Sequence, residues 1–97
     1  MNKENNFFLP RAIFNDARLT PSAITVLSYL YSNLNANRKY SSVSYTEISE
    51  GTSISRPTVS RALKSLEKTG WVEVIREKKN SNQYILNIPE EVKENEK

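Results

Sequence analysis

Apolar residues recur at spacings of three and four in two stretches of this chain, and two further stretches are β-branched or alternate. The first helical stretch opens at Thr20-Pro21, a side chain that caps and a residue whose fixed φ suits the first turn. Ala23, Ile24, Leu27, Leu30, Tyr31 and Leu34 then share one face of a helix of about four turns. The polar run from Asn33 to Lys39 ends it. Tyr40 to Val43 is a β-prone link and a candidate first strand. Ser44 with Glu47 three residues on fits a capping box. The short helix it opens runs to about Glu50, with Tyr45 and Ile48 inward, and Gly51 is the expected left-handed stop. Thr52, Ser53 and Ile54 make the turn, with Ile54 directed into the core.

The second helical stretch starts at Ser55 as N-cap, with Pro57 early in the helix. Val59, Ala62, Leu63 and Leu66 form its apolar stripe, and Gly70 closes it near residue 69. At about 100° per residue the opposite face holds Pro57, Arg61, Lys64 and Lys68, flanked by Thr58, Ser60 and Ser65. Trp71 to Ile75 reads as a strand, with Trp71 in the core. Residues 76–82 form a polar, basic loop, and Gln83 to Ile88 a second strand in which Tyr84, Leu86 and Ile88 alternate before Pro89 ends it. Near the start, Phe7, Phe8, Leu9, Ala12, Ile13 and Phe14 cluster around Pro10, and Asn15-Asp16 is a turn signal. That cluster either packs on its own domain or faces a second copy. Residues 1–6 are polar and frayed in expectation. The pattern gives one domain over 1–89, with an apolar segment at 7–14 and a charged tail at 90–97, disordered or a short solvated helix. The fold class is mainly α with a small β-hairpin, that is, α+β.

Charge sharpens this picture by where it sits. Lys and Arg number 14 and Asp and Glu 11, a net +3. Four of the acids, Glu90, Glu91, Glu94 and Glu96, fall in the last eight residues, and without that tail twelve bases face seven acids. Between Arg56 and Lys79 there are seven bases and three acids. Positive charge is concentrated on the second helix and the hairpin after it, as contact with nucleic acid requires.

The chain has no Cys and no His. That excludes disulfides, thiolate or histidine zinc sites and a histidine base. Asp16 is the only aspartate, and no nucleophile stands beside a base, so an enzyme is the least expected class and no cofactor or metal is expected. No apolar run approaches the roughly 18–20 residues of a membrane span, and no signal peptide is evident. The expectation is a cytoplasmic protein, associated with a nucleoid or plasmid.

The second helix has the composition of one that enters a DNA groove. Its stripe holds it to the domain. Its other face presents small residues near the N-terminus and long cations beyond them, fitting a groove about 12 Å wide. Arg61 is the first candidate for reading a base, since a guanidinium donates twice to guanine O6 and N7, and Arg56 is the second. Ser55, Pro57, Thr58 and Ser60 lie close enough for bases or phosphates. Lys64 and Lys68 suit phosphates. Arg76, Lys78, Lys79 and Asn80 in the hairpin loop would lie on neighbouring backbone or in the minor groove, or else form a plain solvated tip. The N-cap at Ser44 would offer a backbone N–H to a phosphate.

Residues 20–88 resemble a winged helix-turn-helix of the MarR-like kind. The phrase SRPTVSRALKSLEKTGWV is similar to that family's recognition helix and first wing strand, with Trp71-Val72 where the family usually carries an aliphatic pair. The resemblance implies a double-stranded DNA-binding transcriptional regulator, with a recognition helix at about 55–69 in the major groove. A homodimer is expected, because one small module rarely supplies enough contacts for a long specific site. The long terminal dimerisation helices of the family have little room here, so its ligand sensing and dimer mode do not carry over. The run FFLPRAIFNDARLTPSAITVLSYL also resembles the start of winged-helix domains in phage and plasmid replication proteins. That implies the alternative of a replication or partition factor with a protein partner at an origin. A winged helix that binds only protein is the remaining alternative.

Overall fold

A computed structural model of the chain describes residues 9–34, 40–76 and 82–93. The expectations for residues 1–8, including Phe7 and Phe8, and for 35–39, 77–81 and 94–97 lie outside them. The described chain enters through a 3-10 turn, Arg11–Asn15. Ala12 and Ile13 are buried, whereas Phe14 stands 67% exposed. Three residues per turn put successive side chains on three different sides, so Phe14 does not join Ala12 and Ile13 in the core.

Helix α1 spans Pro21–Ser32. Thr20 caps it as expected, its hydroxyl accepting the Ala23 N–H at 3.1 Å. The buried stripe is Ala23, Val26, Leu27 and Leu30, with Ile24, Tyr31 and Leu34 only half-buried at its edge. Val26 is inward although the expected face omits it, because α1 packs against two helices at once and a wider arc is covered. Strand β1, Tyr40–Val43, follows.

Helix α2, Tyr45–Thr52, starts with both halves of the capping box in place. The Ser44 hydroxyl accepts the Glu47 N–H at 3.1 Å and the Glu47 carboxylate accepts the Ser44 N–H at 2.8 Å. The helix runs past its expected end. The left-handed residue is Ser53, at φ 64°, and not Gly51. Gly51 serves another need. A Cβ there would come within 3.0 Å of Cδ1, Cε1 and Cζ of Tyr29, so the glycine lets the α1 ring lie against α2.

Side-chain hydroxyls sew the turn after α2. Thr52 donates to the Ile48 carbonyl at 2.7 Å and accepts the Ile54 N–H at 3.3 Å, while Ser49 donates to the Ile54 carbonyl at 2.6 Å. These bonds hold the strained Ser53 backbone, a conformation that costs a non-glycine residue about 1–3 kcal/mol. Ile54 is half-buried against the core.

Helix α3 spans Arg56–Thr69 and buries Val59, Ala62, Leu63 and Leu66, the expected stripe. Burying a Val or Leu side chain stabilises by about 1.5–3 kcal/mol, which fixes α3 across α1 and α2. Gly70, at φ 94°, closes the helix. Its N–H donates to the Glu67 carbonyl at 3.3 Å and the Trp71 N–H to the Leu66 carbonyl at 3.0 Å, the paired bonds of a Schellman ending.

Strands β2 (Val72–Ile75) and β3 (Asn82–Leu86) form an antiparallel hairpin with Val72 opposite Leu86 and Ile75 opposite Gln83. The β1 strand pairs with the other side of β3, Tyr40 opposite Ile85, giving the order β1-β3-β2. Val43, Val72, Tyr84 and Leu86 face the core. Ile88 lies beyond the strand, half-buried. A helical turn, α4, Glu90–Lys93, then packs on the Arg11–Asn15 turn. Val92 and Pro89 are buried, so this first part of the charged tail packs on the domain.

Candidate nucleic-acid interface

Helix α3 turns its stripe inward and so turns its cations out. Arg56, Pro57, Arg61, Lys64 and Lys68 are all exposed, and Ser55 with them; Thr58 and Ser60 are half-buried at the margins of the same face. Side chains three and four apart lie one above another on a helix, so Arg61, Lys64 and Lys68 form a continuous edge. Lys68 in the last turn also lies where the helix dipole favours a cation. No acidic residue lies in the first turn of α3.

Ser55 occupies the N-cap position without making the expected cap. Its hydroxyl instead donates to the Thr58 hydroxyl at 3.1 Å, and the Arg61 Nη2 donates to that same oxygen at 3.2 Å. Three of the expected contact residues are therefore joined in one hydrogen-bonded group.

Ser44 is not part of this group, and the structure gives it a different task. Its N–H and its hydroxyl are both taken up by the capping box, and a carboxylate stands where a phosphate would dock. The Ser44 N–H is thus not open to an anion.

Arg76 lies at the foot of the hairpin, its Nη2 3.5 Å from Glu67 Oε1 of α3, both side chains well exposed. Lys78, Lys79 and Asn80 lie outside the described residues.

The residues that orient α3 include one group that spacing alone does not reveal. Asp16 is buried, and its carboxylate accepts the Trp71 indole N–H at 2.8 Å. It also accepts the Arg18 Nη2 at 2.7 Å, the Arg18 Nε at 2.8 Å and the Arg18 backbone N–H at 3.0 Å. The Arg18 guanidinium, above all, holds the carboxyl well below the usual carboxylate range; burial works against it, and the Trp71 and backbone N–H bonds reinforce it. Trp71 is fully buried, as expected, and directly follows the residue that closes α3. The chain thereby ties its beginning to the junction of α3 and β2. In the same region burial raises the Tyr84 hydroxyl above its ordinary value, although its bond from Asn82 opposes this.

Two helices joined by a tight turn, the second with an outward cationic edge, and a β-hairpin immediately after it define a winged helix-turn-helix DNA-binding protein. The MarR family model matches residues 19–80, and the chain belongs to that family of DNA-binding transcription regulators. The match runs from Leu19 through α1, β1, α2, α3 and β2 and stops short of β3. No curated protein and no solved structure matches the chain. Among the described residues no helix is long and apolar enough to cross a membrane.

Proposed function

We propose that the protein reads double-stranded DNA sequence-specifically, with α3 in the major groove and the β2–β3 wing over neighbouring backbone or minor groove. It acts as a homodimer on a two-part site. The observation that carries this reading is the division of α3 into a fully packed stripe and an exposed edge of Arg61, Lys64 and Lys68. The absence of acids from its first turn supports it, since the positive end of the helix then faces outward uncompensated. Arg61 contacts a guanine, Arg56 and the hydroxyl residues border it, and Lys64, Lys68 and Arg76 contact phosphates. The replication reading gains no support from this geometry, which any DNA-bound winged helix would share.

A salt titration with duplex DNA tests the reading. Log affinity is expected to fall linearly with log salt, at about 0.9 per neutralised phosphate; a flat response overturns it. Arg61→Ala is expected to relax discrimination at one base pair by about 1–3 kcal/mol, whereas Lys68→Ala should weaken all duplexes alike and reduce the slope by about 1. Equal losses on every sequence from both variants would refute this division of roles.

Glu67 bears on the same surface. It places a negative charge on α3 at the flank of the cationic edge, with the Arg76 guanidinium 3.5 Å away. Glu67→Gln is expected to strengthen binding to any duplex by about two- to fivefold, the scale of an exposed ion pair. Stability should change little, and unchanged or weaker binding would show that Glu67 does not compete with phosphate.

A further inference from the structure

Thr58 is placed to do more than line the α3 face. Its hydroxyl oxygen accepts from Arg61 Nη2 at 3.2 Å on one side and from the Ser55 hydroxyl at 3.1 Å on the other. An exposed arginine samples many rotamers, and fixing them on binding costs about 0.5–1.5 kcal/mol per rotamer-rich side chain. A guanidinium has five N–H donors. One bond to Thr58 leaves four, enough for the two that a guanine edge takes. The partner is also a good restraint. Threonine is β-branched and stiff at χ1, it sits half-buried on α3 one turn before Arg61, and Ser55 pins its hydroxyl.

We infer that Thr58 is a positioning residue that sets specificity: it holds the Arg61 guanidinium in the orientation that reads guanine, with Ser55 steadying Thr58 from the N-cap. The inference rests on the Arg61 reading above. It assigns Thr58 no base of its own. The hydrogen-bonded trio converts a mobile surface cation into a directed one before DNA arrives.

The test uses the full chain and a preferred duplex selected from random sequence, and compares it with the same duplex altered at the base pair where Arg61→Ala loses preference. Wild type is expected to discriminate between the two by about 5- to 150-fold, the range of one bidentate arginine–guanine contact. Thr58→Val keeps the shape and removes the hydroxyl, and should cut that ratio at least threefold. Its salt slope and melting temperature should match wild type. Thr58→Ser restores the hydroxyl and should restore most of the ratio. Thr58→Val combined with Arg61→Ala should discriminate no worse than Arg61→Ala alone, because Thr58 acts through Arg61.

Full discrimination in Thr58→Val, no recovery in Thr58→Ser, or a further loss in the double variant overturns the positioning role while leaving Arg61 as the reader. If Arg61→Ala loses preference at no base pair, the Arg61 reading itself falls, and the positioning role with it.

Discussion

Replacing Asp16 by alanine is expected to lower the stability of the protein by about 2–4 kcal/mol, combining an orphaned buried donor with lost charge-assisted bonds. The Trp71 N–H is fully buried and has no water to turn to, whereas Arg18 is partly exposed and rehydrates. For a chain of this size each kcal/mol corresponds to roughly 4–8 °C in melting temperature, so a fall of about 8–32 °C should be visible in a thermal melt. Trp71→Phe removes the indole donor and part of the buried ring, and the cycle separates the bond from the lost packing. In a double-mutant cycle with Asp16→Ala the two losses should be clearly less than additive; strict additivity would mean that the bond contributes nothing.

The same carboxylate makes a prediction about acid. Its folded pKa is depressed, so its stabilisation is fully present above the unfolded value of about 3.9 and is lost as pH falls through the lower folded value. The stability gap between wild type and Asp16→Ala should be constant from neutral pH down to about 5 and shrink below about 4. A gap that persists unchanged to pH 2 would show that the charge is not what matters.

A second large effect is expected at Gly51. Helix propensity alone says that Gly51→Ala gains about 1 kcal/mol. The packing says the opposite, since the new Cβ would enter the space of the Tyr29 ring. Overpacking costs about 1–3 kcal/mol, so Gly51→Ala is expected to be destabilising overall. Gly51→Val, bulkier and without a propensity gain of that size, should cost about 2–3 kcal/mol. Urea unfolding would measure both. Shortening the ring through Tyr29→Ala should turn Gly51→Ala from destabilising to stabilising relative to the single Tyr29→Ala variant. If Gly51→Ala stabilises the otherwise unaltered chain, the ring moves aside freely and the close approach has no energetic weight.

These two positions mark the boundary of what the residue pattern reveals. Helix starts are legible because their chemistry is local: Thr20-Pro21 and Ser44 with Glu47 satisfy their own backbone neighbours within three residues. The α3 stripe is legible because one strong period runs over fourteen residues. The end of α2 is not, because glycine there answers to a side chain on another helix, and serine takes the left-handed position with help from Thr52 and Ser49. The Asp16–Trp71 bond joins residues 55 apart and follows no spacing rule. In the candidate site, periodicity places Arg61, Lys64 and Lys68 on one edge. It does not show that Ser55 abandons its cap for Thr58, or that Arg76 leans on Glu67, since both depend on rotamers. Ser44 shows the converse: a motif legible as a cap is used as one, and its N–H is spent inside the helix.

Gly70 leaves no slack between α3 and β2. The last turn of the helix shares a backbone bond with Trp71, the second residue beyond it, and Trp71 is bolted to Asp16. A turn of α3 about its axis must therefore swing the hairpin with it. On the proposed reading, helix and hairpin would present themselves to DNA as one coupled unit, and fitting the grooves would fall to the duplex.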